Sequence, residues 1–213
     1  MDRRNVMVFS SLMFLAAAAF AQDALQAVKS KQLDQLQVAP GLSAYKKVLI
    51  DPSKAEVHPG WMRSMNDGLG GPKVKRADVD RIAKESAKGL DMFVAPAFKA
   101  NGYEIVTAPG PGVMRIAASA NEIYVNAPDT NQPGVMSATE DAGTARMRLV
   151  ATDSVSGKPL ARTEHKLTAS GATGSPTRAT NVSNRFWFGN AFERWAVNVA
   201  KELQAATPPA PKS

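Results

Sequence analysis

Thr144-Ala-Arg-Met-Arg-Leu-Val-Ala-Thr152, then Asp153-Ser-Val-Ser-Gly157, then Lys158-Pro-Leu-Ala-Arg-Thr-Glu-His-Lys-Leu167: this stretch decides the fold. In its first part Met147, Leu149 and Ala151 fall on one side, and Arg146 and Arg148 on the other. That two-residue period is the mark of a strand with one face buried and one in water. Asp153 to Gly157 has hairpin-turn chemistry, with short polar side chains that bond nearby backbone N–H groups and a closing glycine. Leu160 to Leu167 is then the returning strand. A hairpin with one apolar face needs a second layer to cover it.

Working outward, the periodicity changes from two to between three and four. Val79, Ile82, Ala83, Ser86, Leu90, Phe93, Val94, Ala97 and Phe98 form the stripe of an amphipathic helix over 78–99. Asp78 suits its N-cap, Pro96 predicts a kink or early stop, and Asn101-Gly102 a left-handed terminus. Phe188, Ala191, Phe192, Trp195, Val199 and Leu203 give a second such helix over 184–204. Aliphatic runs near 45–51, 103–107 and 113–125 supply further strands. In the last of these Ile116, Ala118 and Ala120 share one parity and Ile123 and Val125 the other. A one-residue bulge near Asn121 returns both sets to one face.

The expected architecture is therefore α+β: a two-layer sandwich in which a mostly antiparallel sheet of about five strands carries both long helices on one face. Residues 41–205 read as this single domain. Gln22 to Gln37 is rich in helix formers but has a thin apolar stripe, so residues 22–40 read as a loosely attached helical arm ended by Pro40-Gly41. Residues 53–76 hold many breakers and read as a long connection around Trp61. Residues 126–143 and 168–184 read as loops, and 206–213 as a disordered tail.

The first 21 residues carry their own message. Arg3 and Arg4 precede an apolar run from Val6 to Phe20, and Ala19-Phe20-Ala21 has the form of a cleavage site. The run is shorter than the roughly 20 residues of a membrane span. The reading is a signal peptide cleaved after Ala21, hence export to a bacterial periplasm or beyond, with no transmembrane anchor afterwards. Cleavage leaves 24 basic against 18 acidic residues, a net charge of +6. Such an excess favours anionic envelope polymers and lipid headgroups as partners, whereas export argues against nucleic acid. The chain contains no cysteine, so it has neither disulfides nor the lipidated cysteine of a lipoprotein.

Catalytic chemistry is hard to find. With His58 and His165 as the only histidines, no metal-ligand spacing emerges, and no cofactor is implied. There is no G-x-S-x-G elbow. Gly68-Leu-Gly-Gly71 lacks the Lys-Ser/Thr of a phosphate loop. Glu140-Asp141 reads as solvated charge. Phe186-Trp187-Phe188 with Trp195 reads as core, with an apolar pocket as the alternative. The one positive feature is a basic stripe: Arg146 and Arg148 on an outer strand face, with Arg115 and Arg162 on neighbouring strands.

Several landmarks in order resemble the bacterial envelope family called domain of unknown function 3313. They are Tyr45-Lys-Lys-Val-Leu-Ile-Asp-Pro52, the helix before Gly102-Tyr-Glu-Ile-Val106, Pro109-Gly-Pro-Gly-Val-Met-Arg-Ile116, the Asp153-Ser-x-x-Gly157 hairpin and the Trp195-centred helix. The resemblance spans roughly residues 40–204 and implies an envelope protein with no assigned catalytic residues. Many members are lipoproteins, a property this cysteine-free chain does not share. The resulting expectation is a non-enzymatic exported binding or accessory protein whose partner is an envelope protein or an anionic envelope polymer or lipid surface and whose binding residues are Arg115, Arg146, Arg148 and Arg162. Two other readings stand beside it. One is an envelope hydrolase with a site around Asp51, His58 and the 53–76 connection. The other is a carrier that holds a small lipophilic ligand in a closed cavity beside Trp195.

Overall fold

The computed structural model describes residues 25–67, 73–126, 137–170 and 177–206. The expected signal peptide and residues 207–213 of the expected tail lie outside them. In chain order the elements are β1 (Gln26–Ala27), β2 (Gln35–Val38), a 3-10 turn (Leu42–Ala44), β3 (Lys47–Ile50), β4 (Lys54–Val57), α1 (Trp61–Asn66) and α2 (Arg76–Ala100). There follow β5 (Glu104–Val106), β6 (Val113–Val125), β7 (Ser137–Thr139), β8 (Asp141–Asp153), β9 (Pro159–Ser170), β10 (Thr177–Ala179) and α3 (Asn181–Ala205).

The architecture is α+β, but the main sheet has eight strands and is mixed. Its order is β1-β2-β9-β8-β6-β3-β5, with β4 continuing alongside β6 beyond β3. All five expected strands are present, as β3, β5, β6, β8 and β9, but the short strands β1, β2 and β4 join them, and antiparallel pairing in this sheet is confined to β1, β2, β9, β8 and β6. Strand β3 runs parallel to both β5 and β6, and β4 parallel to β6. The cause is the long connection through α2, which brings the chain back in the same direction and so enforces parallel pairing. A separate two-stranded ladder joins β7 to β10 within stretches expected to be loops.

The bulge lies where the parity change in β6 predicts it. Asn121 pairs with Arg146, but the next partners are Tyr124 and Thr144, so β6 holds one residue more than β8. Glu122 takes up the excess at a left-handed φ of 52°. Opposite it, Gly143 is required: at φ 146° a Cβ would lie 1.9 Å from the Tyr124 carbonyl oxygen. The bulge keeps Ile116, Ala118, Ala120, Ile123 and Val125 all buried on one face.

The N-terminal stretch is not a helical arm. Residues 35–38 pair antiparallel with β9, and β1 pairs with β2. Leu33, Leu36 and Val38 are buried in the common core. Helix propensity lost here to a free sheet edge and to burial, as short segments allow. In the breaker-rich connection, Trp61 is fully buried and its indole N–H donates to the Val125 carbonyl at 2.8 Å, which fixes α1.

Helix α2 begins earlier than predicted. Lys75 occupies the N-cap, and Asp78 sits in the first turn, its carboxylate accepting the Lys75 backbone N–H at 2.9 Å. The helix continues through Pro96 to Ala100 because Ala97 and Phe98, beyond the proline, are buried while Pro96 itself is exposed. Thr180 caps α3 by accepting the Ser183 N–H at 3.0 Å. Both long helices lie on the same sheet face, α2 over β4, β5 and β6 and α3 over β8 and β9. They run in the same direction: Gly89 faces Phe192, Gly189 faces Phe93, and Gly102 just past α2 lies near Gln204 of α3.

Candidate functional site

The side of the sheet that no described element covers carries the four arginines named by the sequence. The β8–β9 hairpin places three of them. Its turn is held by Asp153, whose carboxylate accepts the Ser156 backbone N–H at 2.7 Å and the Ser156 hydroxyl at 2.8 Å. Tyr45 donates to the same carboxylate at 3.0 Å. These bonds, led by the Ser156 backbone N–H, push the Asp153 pKa down to about 2.

The arginines share a face but not a common role. Arg115 projects from β6, where its Nε donates to both Asp51 carboxylate oxygens, at 3.0 and 2.8 Å. Arg146 reaches Glu122 at the bulge at 3.1 Å. Arg148 meets Glu164 across the ladder at 2.8 Å. Arg162, opposite Val150 and Gln37, has no ion pair among the described residues. What the sequence presents as a bare basic stripe is thus, among the described residues, three local ion pairs plus one guanidinium outside any ion pair. Lys166 adds a cation that outer-strand parity would also have identified. It is exposed and stands directly across from Arg146.

Asp51 and His58 are not brought together. The Asp51 N–H bonds to the Ile116 carbonyl and the His58 N–H to that of Ile123, at opposite ends of β6. At 3.3 Å per residue the two are roughly 20 Å apart. Asp51 is engaged by Arg115, and the exposed His58 ring accepts the Gly60 N–H through Nδ1 at 3.1 Å. The nearby Ser64 hydroxyl is bonded to Tyr124 at 2.7 Å. A nucleophile needs a base aimed at it, and no described residue supplies that geometry here. His165 lies 3.4 Å from Asp34. Among the described residues no cluster of three or more His, Asp or Glu is arranged to hold a metal ion, and no helix is long and apolar enough to cross a membrane.

The opposite side of the molecule has a feature that sequence reasoning missed. An open cleft of about 890 Å³ separates the N-terminal halves of α2 and α3. Its apolar lining comes from Met92 and Phe93 of α2, Phe186, Phe188 and Phe192 of α3, and Val125 of β6. Trp195 does not line this cleft, which lies nearer the N-terminus of α3. Phe186 and Phe188 were visible in the sequence as an aromatic cluster; that they border a groove depends on how the helices diverge.

No family model matches the chain, and no curated protein matches it either. Among solved structures the chain is similar to protein XCC0632 of Xanthomonas campestris, described under family model DUF330. Identity is 12%, the TM-score 0.40, and the match covers 72% of this chain and 81% of that one. It is also similar to the PelC dodecamer of Paraburkholderia phytofirmans, at 9% identity and a TM-score of 0.35, over 75% of this chain and 94% of that one. These similarities carry over no residue role, partner or assembly. The structural similarity is to a DUF330 protein, and the resemblance to domain of unknown function 3313 rests on the motifs quoted above.

Proposed function

We propose that this is a non-enzymatic exported protein, a binding or accessory component of the bacterial envelope that engages an anionic surface through the outer face of its sheet. The observation that carries the reading is the charge arrangement around Arg146. Lys166 stands directly opposite it, and Arg162 lies on the same face; among the described residues neither the Lys166 ammonium nor the Arg162 guanidinium is in an ion pair, the nearby Asp34 carboxylate accepting the Lys166 backbone N–H at 2.7 Å. Like charges facing each other across a ladder oppose folding, so the arrangement is better suited to a partner than to stability. Of the three ion pairs beside it, Arg146–Glu122 is about half exposed on both sides, whereas Asp51 and the Arg148–Glu164 pair are more covered. An exposed pair is worth only about 0–1 kcal/mol, so the Arg146 guanidinium can exchange its carboxylate for a phosphate.

Retention of the mature chain on phosphatidylglycerol vesicles and on isolated wall fragments tests this. Binding is expected to fall as salt rises, since exposed charges are screened over about 8–10 Å at 0.1–0.15 M ionic strength. The Arg146→Ser/Arg148→Ser variant is expected to bind several-fold less while melting within a few degrees of the parent. Retention that ignores both salt and the substitutions would overturn the reading.

A further inference from the structure

The cleft between α2 and α3 combines an apolar lining with an unbalanced charge on its rim. Lys84 and Lys88 lie one turn apart on α2, and both border it. Asp80 and Glu85 border the cleft as well, but each is paired with an arginine, and Asp91 beyond Lys88 is bonded to the backbone. Asp80 pairs with Arg76 at 3.1 Å, Glu85 with Arg81 at 3.7 Å, and Asp91 accepts the Ser53 N–H at 2.8 Å. Among the described residues neither lysine has an ion pair or a side-chain hydrogen bond. Two like charges at this spacing weaken a helix, and nothing in the packing of α2 requires them.

Beside the lysines the surface turns aromatic. Phe188 and Phe192 are buried and Phe93 is half-buried, whereas Met92 and Phe186 at the mouth are 62% and 63% exposed. Met92, Phe186 and Phe93 expose their apolar surface at one cleft, with the buried Phe188 and Phe192 behind them, so the exposure is contiguous rather than scattered. Its volume of about 890 Å³ falls within the size of small-molecule sites. A small anion would use the lysines and leave the aromatics wet; a neutral hydrocarbon would do the reverse. Only a molecule with both parts satisfies both.

We propose that the cleft between the N-terminal halves of α2 and α3 binds a single-chain anionic amphiphile, its acyl chain against Phe93, Phe188 and Phe192 and its carboxylate or phosphate head at Lys84 and Lys88. The site lies on the side of the molecule away from the arginine-bearing sheet face and does not depend on the function proposed for that face.

The test is fluorescence titration of the full mature chain with dansyl-undecanoic acid. Competition by palmitate, by lysophosphatidylglycerol and by hexadecanol follows. Saturable one-to-one binding is expected, and whichever head the site prefers, carboxylate or phosphate, should displace the probe at lower concentration than the alcohol does. Lys84→Gln/Lys88→Gln should weaken the preferred anionic competitor about 10-fold, the size expected for two exposed charge contacts, and leave hexadecanol unchanged. Gly189→Leu provides a second arm, since a Cβ there already lies 3.7 Å from the Phe93 ring and a longer side chain must enter the cleft. That variant should abolish binding of all three. Absence of saturable probe binding overturns the proposal, as does a Lys84→Gln/Lys88→Gln variant that binds the anions as tightly as the parent. Probe binding that disappears on dilution together with self-association, followed by sedimentation, overturns it in favour of a second copy of the chain on the cleft.

Discussion

Along β8, Met147, Leu149 and Ala151 are fully buried, whereas their immediate neighbours Arg146, Arg148 and Val150 remain in contact with solvent. One strand therefore serves two regions that differ in kind. The inner face is covered by α2 and α3 and belongs to the single continuous core. The outer face has no covering layer among the described residues and is held together by ion pairs that contribute little. The difference teaches that stability and recognition can be altered separately, by choosing residues of odd or even number on the same strand.

The sharpest way to break this comparison is to truncate adjacent residues. Leu149→Ala is expected to cost about 3–4 kcal/mol, the transfer term plus the cavity left behind, as read by denaturant unfolding. Val150→Ala, one position on, should cost less than about 1 kcal/mol. Equal costs would mean that the outer face is covered as well. Next in size is the bulge that keeps β6 in step with the core. Gly143→Ala forces a Cβ against the Tyr124 carbonyl, and a loss of about 2–3 kcal/mol is expected in thermal unfolding. A neutral result would show that the bulge does not fix the register.

A smaller effect separates the hairpin tip from both faces. The Asp153 pKa lies near 2 in the folded protein against an ordinary value of 3.8, so the folded state favours its ionised form. That contribution is complete above pH 3.8 and is lost as pH falls from there through 2. Asp153→Asn should therefore lower stability at neutral pH and flatten the fall between pH 4 and 2, as followed by melting temperature against pH. An unchanged acid limb would mean that other carboxylates dominate acid unfolding.

How much of this was legible in the sequence depended on the length of each signal. Strands β6, β8 and β9 are 12 or 13 residues long, enough for alternation to be read and for one parity break to reveal the bulge. The two helices of 25 residues each declared themselves through their stripes. Strands of two to four residues, such as β1, β2 and β4, are too short to show a period, and Gln35-Leu-Gln-Val38 has composition that suits a helix until β9 offers an edge. The parallel pairing of β3 depends on where the chain returns after α2, which no local pattern encodes. At the candidate site the outward direction of Arg146 and Arg148 followed from alternation. Their pairing with Glu122 and Glu164 did not, because partners across a ladder depend on register. The cleft was further still from view, since the stripe of α2 predicts one buried side but not that Ile82 and Phe93 stay half-exposed where α3 diverges.

The most direct measurement pairs stability with binding in the variant Arg162→Ser/Lys166→Ser, which removes two cations and no ion pair among the described residues. Its melting temperature should match the parent within about 2 °C, as expected for exposed surface substitutions. Its retention on phosphatidylglycerol vesicles should drop several-fold and lose part of its salt dependence. Retention equal to that of the parent, with the fold intact, would contradict the account.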